Sequence, residues 1–261
     1  QMSEDNQRYG DGMERNQLIK ALDTLLDIGS YRDYAPNGLQ VEGRKEINTI
    51  VTGVSASQVV IDAAIAHEAD MLLVHHGYFW KGEDPRVIGL KQQRLKKLLQ
   101  HDINLVAYHL PLDGHPELGN NAQWGQLLQC DLEGHLEAAE LVCYGTLEQP
   151  MTTQQLCAQV KEGLGGREPQ LIAGHDRPIQ KIGWCSGGAQ DYVAQAAEAG
   201  LDAYLSGEVS ERTYHQAMEH GICYLGCGHH ATERGGVQAL GAWINRQYGV
   251  ACHFVDEPNP V

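Results

Sequence analysis

Two stretches end hydrophobic runs in the same way, "LVHHGYFWKG" from Leu73 to Gly82 and "CGHHATERGG" from Cys227 to Gly236. Neighbouring side chains of a strand point to opposite faces, so paired imidazoles converge on one site only where the strand stops and the chain turns. Gly77 follows the first pair directly, whereas Ala231 and Thr232 follow the second. A third run, "INLVAYHLPLD", ends in His109 with Asp113 just beyond. In an open parallel sheet ligands collect beyond the carboxyl ends of the strands, and imidazoles with carboxylates drawn from separate strand ends are what a divalent transition metal requires.

Spacing extends the set. Glu233 lies four residues after His229 and three after His230, so a helix starting after that pair puts the carboxylate on a face with either ring. Pro111 argues against a helix through "HLPLDGHPELGN", and a loop is expected to bring His109 and Asp113 together. His75, His76, Asp113, His229 and Glu233 are too many ligands for a three-ligand catalytic site around one ion. They suit two ions about 3.5–4 Å apart that share a carboxylate, with Glu233 as the expected bridge. His109 and Glu208 are the expected proton carriers. Mixed imidazole and carboxylate donors accept zinc, manganese, iron or nickel.

Other residues read more plainly. His115, His135, His175 and His215 are ordinary surface or core histidines. Tyr78, Phe79 and Trp80 are expected chiefly to pack in the core, although they stand beside proposed ligands. Lys81 is expected to be solvated. "CSGG" at Cys185–Gly188 is only a weak candidate for a phosphate-cradling turn. Seven cysteines without a disulfide-like spacing read as reduced thiols, and Cys223 and Cys227 as small core hydrophobes.

The elements that must position these groups alternate. "NQLIKALDTLLDIG" has helical apolar spacing, with Asn16 as the expected cap and Gly29 as the stop. After a Pro-Asn-Gly turn come the strand "INTIVTGVSAS", the helix "SQVVIDAAIAHEA", the strand "DMLLVHHG", the helix "RLKKLLQHD" and the strand to His109. The pattern breaks between about Leu132 and Pro178, with a short strand "ELVCYGTL" and a helix around "TTQQLCAQVKEGLG", and resumes from Gln180 to a closing strand in "VACHFVDEPNP". The expected fold is α/β, two interlinked α/β/α layered domains with largely parallel sheets. The expected divisions are an extension at 1–15, a domain at 16–130 carrying the first ligands, a second at 131–228, and a segment at 229–261 that returns to the first and completes the metal site. Sliding the chain by 132 positions lays Thr52–Gly77 over Trp184–Val209, with Asp70 over Asp202, a weak internal echo of one strand, helix and strand unit.

At 261 residues and 42% hydrophobic content the chain can bury a full core. A net charge of −15 argues against nucleic acid as a partner. No apolar run reaches the roughly 18 residues of a membrane span, and no secretion-type start is present, so a cytoplasmic protein is expected.

"DYAPNGLQVEG", "TGVSAS", "HHGYFWKG", "HLPLDGHPELGN", "SGEVSE" and "GHHATERGG" together resemble the Nif-three-like family, whose bacterial members are called GTP cyclohydrolase one type two homologues. The resemblance runs from about Leu18 to the C-terminus. It implies a two-domain α/β protein, a toroidal homo-hexamer, and a dinuclear metal centre facing an internal cavity. It matches His75 and His76 to the family's first ligand pair, Asp113 to its loop aspartate, and His229 and Glu233 to its C-terminal ligands. The middle segment is too short for the extra domain of longer relatives. The expected function is a dinuclear metal-dependent hydrolase of a small molecule; the alternative is a metal-binding structural or interaction protein without turnover.

Overall fold

The computed structural model describes residues 12–261. The expected N-terminal extension lies outside the described residues up to residue 11; Met13–Glu14 already pairs as a short strand, β1. In chain order follow α1 (Arg15–Leu25), β2 (Gly38–Val41), β3 (Glu46–Ile47), β4 (Thr49–Ser55), α2 (Gln58–Ala66), β5 (Met71–His76), α3 (Gly89–Gln100), β6 (Asn104–Ala107) and α4 (Leu110–Gly114). Next come α5 (Asn120–Leu127), β7 (Leu132–Leu136), β8 (Ala139–Met151), α6 (Thr153–Gly163), β9 (Gln170–Ala173), β10 (Ile179–Cys185), α7 (Val193–Glu198) and β11 (Ala203–Ser206). The chain ends with α8 (Glu211–His220), β12 (Cys223–Gly226), α9 (His229–Thr232), α10 (Arg234–Tyr248) and β13 (Ala251–Phe254).

The chain divides into two compact units, one up to Pro111 and over Val237–Glu257, the other over Leu112–Gly236 and Pro258–Val261. The first unit is built on a five-stranded sheet of order β13-β4-β5-β6-β2, parallel except at β2, with β1 and β3 as a separate antiparallel pair. Its strands are apolar on both faces. Val51, Leu72, Val74, Leu105 and Ala107 share a core with Val60, Ile61 and Ala64 of α2 and Leu95 and Leu98 of α3. The alternate residues Ile50, Met71, Leu73 and Val106 are buried as well, as a parallel sheet covered on both sides demands. At Gly241 α10 comes so close to β4 that an added Cβ would lie 3.3 Å from Thr52 Cγ2.

The second unit has a six-stranded sheet of order β7-β8-β10-β11-β12-β9. Only β10-β11 and β11-β12 are parallel, so this sheet is mixed rather than largely parallel. The irregular middle of the sequence supplies the antiparallel strands: β7 and β8 form a hairpin, and β9 adds to the far edge. Side-chain alternation sorts two cores. Ile182, Trp184, Ala203, Leu205, Cys223 and Leu225 pack with Trp124 of α5 and Leu156 and Val160 of α6. Cys185, Tyr204, Ile222 and Tyr224 pack with Val193 and Ala196 of α7 and Ala217 of α8. This unit is a three-layered α/β/α sandwich.

Three local expectations are corrected. Glu14, not Asn16, caps α1, its carboxylate accepting from Asn16 N–H and Gln17 N–H at 3.0 Å each. Gly29 falls in a 3₁₀ turn beyond the helix end. Pro111 lies inside α4, because in the first turn its missing N–H is one that no helical carbonyl would have used.

The internal echo is exact in its hydrogen bonding. Asp70 Oδ2 accepts from Asn48 N–H and Thr49 N–H at 2.8 and 3.0 Å, and Asp202 Oδ2 accepts from Gln180 N–H and Lys181 N–H at 3.0 and 2.9 Å. Ala69 N–H donates to the Ala64 carbonyl as Leu201 N–H does to that of Ala196. The left-handed residue after each helix is Glu68 in one copy and Gly200 in the other. Each aspartate therefore ties the start of one parallel strand to the start of the next. Asp70→Ala is expected to cost about 2 kcal/mol or more in denaturant unfolding, because Asp70 is buried, and Asp202→Ala about 1 kcal/mol, because its partners reach solvent.

Candidate metal centre

In the first unit three histidines gather at the carboxyl ends of neighbouring parallel strands. His75 and His76 end β5 and His109 follows β6. Their ring centroids lie 4.6, 5.2 and 5.9 Å apart, and one donor nitrogen from each falls within 4.8 Å of those of the other two. Each Nδ1 is already engaged. His75 Nδ1–H donates to the Tyr108 carbonyl at 2.8 Å, His76 Nδ1 shares a 3.1 Å hydrogen bond with Ser55 Oγ, and His109 Nδ1–H donates to Asp33 Oδ1 at 2.6 Å. The three bonds fix the ring orientations, and for His75 and His109, whose partners are a carbonyl and a carboxylate, they put the proton on Nδ1, the arrangement that metal-binding histidines show.

Asp33 was not singled out from the sequence, where it sat in what read as a plain turn. Here it is buried and also accepts from Tyr34 N–H at 2.7 Å, Leu110 N–H at 2.9 Å and Asn37 Nδ2 at 3.0 Å, while Asn37 Oδ1 accepts from His109 N–H at 2.7 Å. Burial alone would raise the Asp33 pKa, but the bonds from His109, Asn37 and Leu110 and the His109 charge hold it down at about 2. The aromatic run splits in role. Tyr78 is buried, its hydroxyl donating to the Ala56 carbonyl, whereas half-buried Trp80 stands perpendicular to the His109 ring with centroids 4.9 Å apart. Phe79 between them has φ 65°, a costly conformation for a bulky residue and one that recurs beside functional groups.

In the second unit His229 opens α9, and His229 Nε2 lies 3.1 Å from Glu233 Oε2, the fourth-residue partner that the spacing predicted. Glu208, just past β11, accepts from His229 Nδ1–H at 2.6 Å. Burial alone would lower the His229 pKa, but hydrogen bonds and charge from Glu233 and Glu208 push it up to about 9. The surroundings therefore favour positive charge at this ring. Asp113 is buried on α4, accepting from Asn120 Nδ2 at 2.9 Å and Ser186 Oγ at 3.0 Å, and its carboxylate comes within 4.8 Å of that of buried Glu233. Two buried carboxylates side by side with an imidazole are a poor set for a dry core and a fitting one for a divalent cation.

Close packing leaves this set its room. Gly187 has φ 73°, and a Cβ there would overlap Glu233 Oε1. "CSGG" is not a phosphate cradle: Ser186 N–H donates to Asn121 Oδ1 at 2.8 Å and Gly187 N–H to Thr232 Oγ1 at 3.0 Å. His230 is buried and its N–H donates to the Val261 carbonyl at 3.0 Å, so the second pair divides, with His229 at the carboxylates. The plainer readings hold elsewhere. His115 Nδ1 accepts from Glu117 and Leu118 N–H groups in a turn, and among the described residues all seven cysteines are free.

The depressed Asp33 pKa has a consequence for stability. A carboxylate that titrates near 2 when folded and near 3.8 when unfolded stabilises the protein above about pH 4, and that stabilisation disappears as pH falls through about 2. At about 1.4 kcal/mol per pH unit, roughly 2 kcal/mol should be lost across that window. Urea unfolding between pH 5 and about pH 2 should show this acid limb, and Asp33→Asn should flatten it.

The family described as Duf34/NIF3 (NGG1p interacting factor 3) matches residues 13–260. A Pseudomonas aeruginosa protein named GTP cyclohydrolase 1 type 2 homolog is 53% identical over 247 residues, covering 93% of this chain and 97% of that protein. A protein of the same name from Yersinia pestis is 51% identical over 250 residues, covering 95% and 100%. The solved structure titled "protein ybgI, unknown function" superposes with a TM-score of 0.93 at 46% identity, covering 95% of this chain and all of that one. The chain belongs to the Duf34/NIF3 family.

Proposed function

We propose that the chain is a dinuclear metal-dependent hydrolase of a small molecule, with His75, His76, Asp113, His229 and Glu233 as ligands and Glu233 as the bridge. The observation that carries this reading is the pairing of buried carboxylates, Asp113 and Glu233, with an imidazole whose far nitrogen is already held by Glu208. Two divalent ions would lower the pKa of a bound water and draw charge from the bond under attack. The protein's own groups orient and move protons. Asn120 and Ser186 fix Asp113, and Glu208 steadies His229 with one oxygen, a place from which a carboxylate can carry a proton. A ring C–N bond and a phosphate ester are both suitable targets. The relatives' name, GTP cyclohydrolase 1 type 2 homolog, puts nucleotides with a cyclic base in the screen.

The proposal includes a toroidal homo-hexamer in a reducing, cytoplasmic setting. Free cysteines and the lack, among the described residues, of any helix long and apolar enough to cross a membrane are consistent with that setting. The competing reading is a metal-binding assembly or interaction protein.

Purified protein should be assayed against nucleotides, cyclic amides and phosphoesters, with and without chelator, alongside light scattering for assembly. The expected result is turnover that chelator abolishes and that His76→Ala reduces at least a hundredfold. Absence of turnover in the metal-loaded protein, with assembly intact, would favour the competing reading.

A further inference from the structure

Resting on the reading that His229 and Glu233 serve a small-molecule site, we infer that Arg167 is an oxyanion receptor beside them, and that the substrate carries a phosphate or a carboxylate. Arg167 lies on the loop that follows α6 in the second unit. Leu164 ends the helix, and Gly165 and Gly166 then take φ 71° and 98°, left-handed values that turn the chain back. Their N–H groups donate to the Glu162 and Lys161 carbonyls at 3.3 and 2.8 Å, and Arg234 Nη2 donates to the Leu164 carbonyl at 3.1 Å. The last carbonyls of α6 are thus taken up by other groups, and the loop is tied to the residue after Glu233. Arg167 has no share in this capping.

Its guanidinium goes to Gly228, the residue before His229. A Cβ added there would lie 2.7 Å from Cζ, 2.7 Å from Nε and 2.9 Å from Nη1 of Arg167. Three coplanar atoms at nearly equal distance mean that the flat face of the group lies over the glycine, so its N–H bonds point sideways. Gly228 is itself pinned, its N–H donating to the Gly207 carbonyl at 2.9 Å and its carbonyl accepting from Thr232 Oγ1 at 2.8 Å. With φ 103° and no room for a side chain, position 228 takes glycine, and Arg167 fills the space. The charge is half-buried, and among the described residues no carboxylate or carbonyl accepts from it, in a chain with 34 acidic side chains against 19 lysines and arginines. Neighbouring Glu168 pairs with Lys161 instead, at 3.1 Å. A planar fork of donors, held flat and unmatched by the protein's own acids, suits two oxygens of a ligand's phosphate or carboxylate. A substrate anchored there is held one residue away from a proposed metal ligand.

The test titrates inorganic phosphate and acetate into the full chain at low ionic strength, as purified and after chelator treatment, with affinity by calorimetry. Binding should persist after chelator, because the receptor is a side chain and not an ion. Arg167→Gln should weaken it by about tenfold or more, with Arg167→Lys in between, since an ammonium keeps the charge and loses the fork. In the unmutated protein the Arg167 Nε–H signal, assigned by its loss in Arg167→Lys, should shift during the titration. Whichever anion binds more tightly names the group that the substrate carries. No binding of either anion, or binding that chelator abolishes and Arg167→Gln leaves unchanged, would overturn the inference. So would an Arg167→Gln protein altered in assembly by light scattering but not in anion affinity. None of these measurements reads turnover, so a chain that binds anions in this way and hydrolyses nothing would sink the hydrolase reading alone.

Discussion

An imidazole offers a lone pair in a defined direction only after its other nitrogen has been given a partner, and much of this fold supplies such partners. Ser55 at the end of one strand, the Tyr108 carbonyl after another, Asp33 in a turn and Glu208 past a third strand end each take one Nδ1. Parallel strands make this economical. Their carboxyl ends lie along one edge, so residues distant in sequence arrive together with their orienting groups only a strand away.

Charge sets the second constraint. Asp113 and Glu233 are buried within 4.8 Å of each other, a costly arrangement for two carboxylates. Asn120 Nδ2 and Ser186 Oγ hold Asp113 by hydrogen bonds, and His229 Nε2 stands 3.1 Å from Glu233. The glycine at 187 belongs to the same design, since any side chain there would take the space of the Glu233 carboxylate.

Much of this was legible in the sequence, for physical reasons. Strand ends declared themselves where β-branched and leucine-rich runs stopped at histidine, and the fourth-residue spacing of His229 and Glu233 survived folding unchanged. What stayed hidden depended on contacts remote in sequence. Asp33 and Asn37 read as turn formers because Pro36 and Gly38 stand beside them, yet their carboxylate and amide reach His109, more than seventy residues on. Pro111 misled because a proline's harm depends on whether it falls in the first turn or later, a distinction of two residues. The antiparallel strands of the second sheet were obscured by the glycines and prolines that make their turns.

The matching aspartates at 70 and 202 indicate two versions of one building block, but the chain does not complete them in the order in which they occur. The parallel partner at one edge of the first sheet, β13, lies at residues 251–254, after the long Leu112–Gly236 segment of the second unit. During translation the first unit must therefore wait, with one edge of β4 uncapped, until residues 251–254 have been made, while the unit encoded in the middle already has its strands. The sheet that is begun first is closed after the other has all its strands, and a ribosome stalled between the two would leave an exposed strand edge open to pairing with other chains.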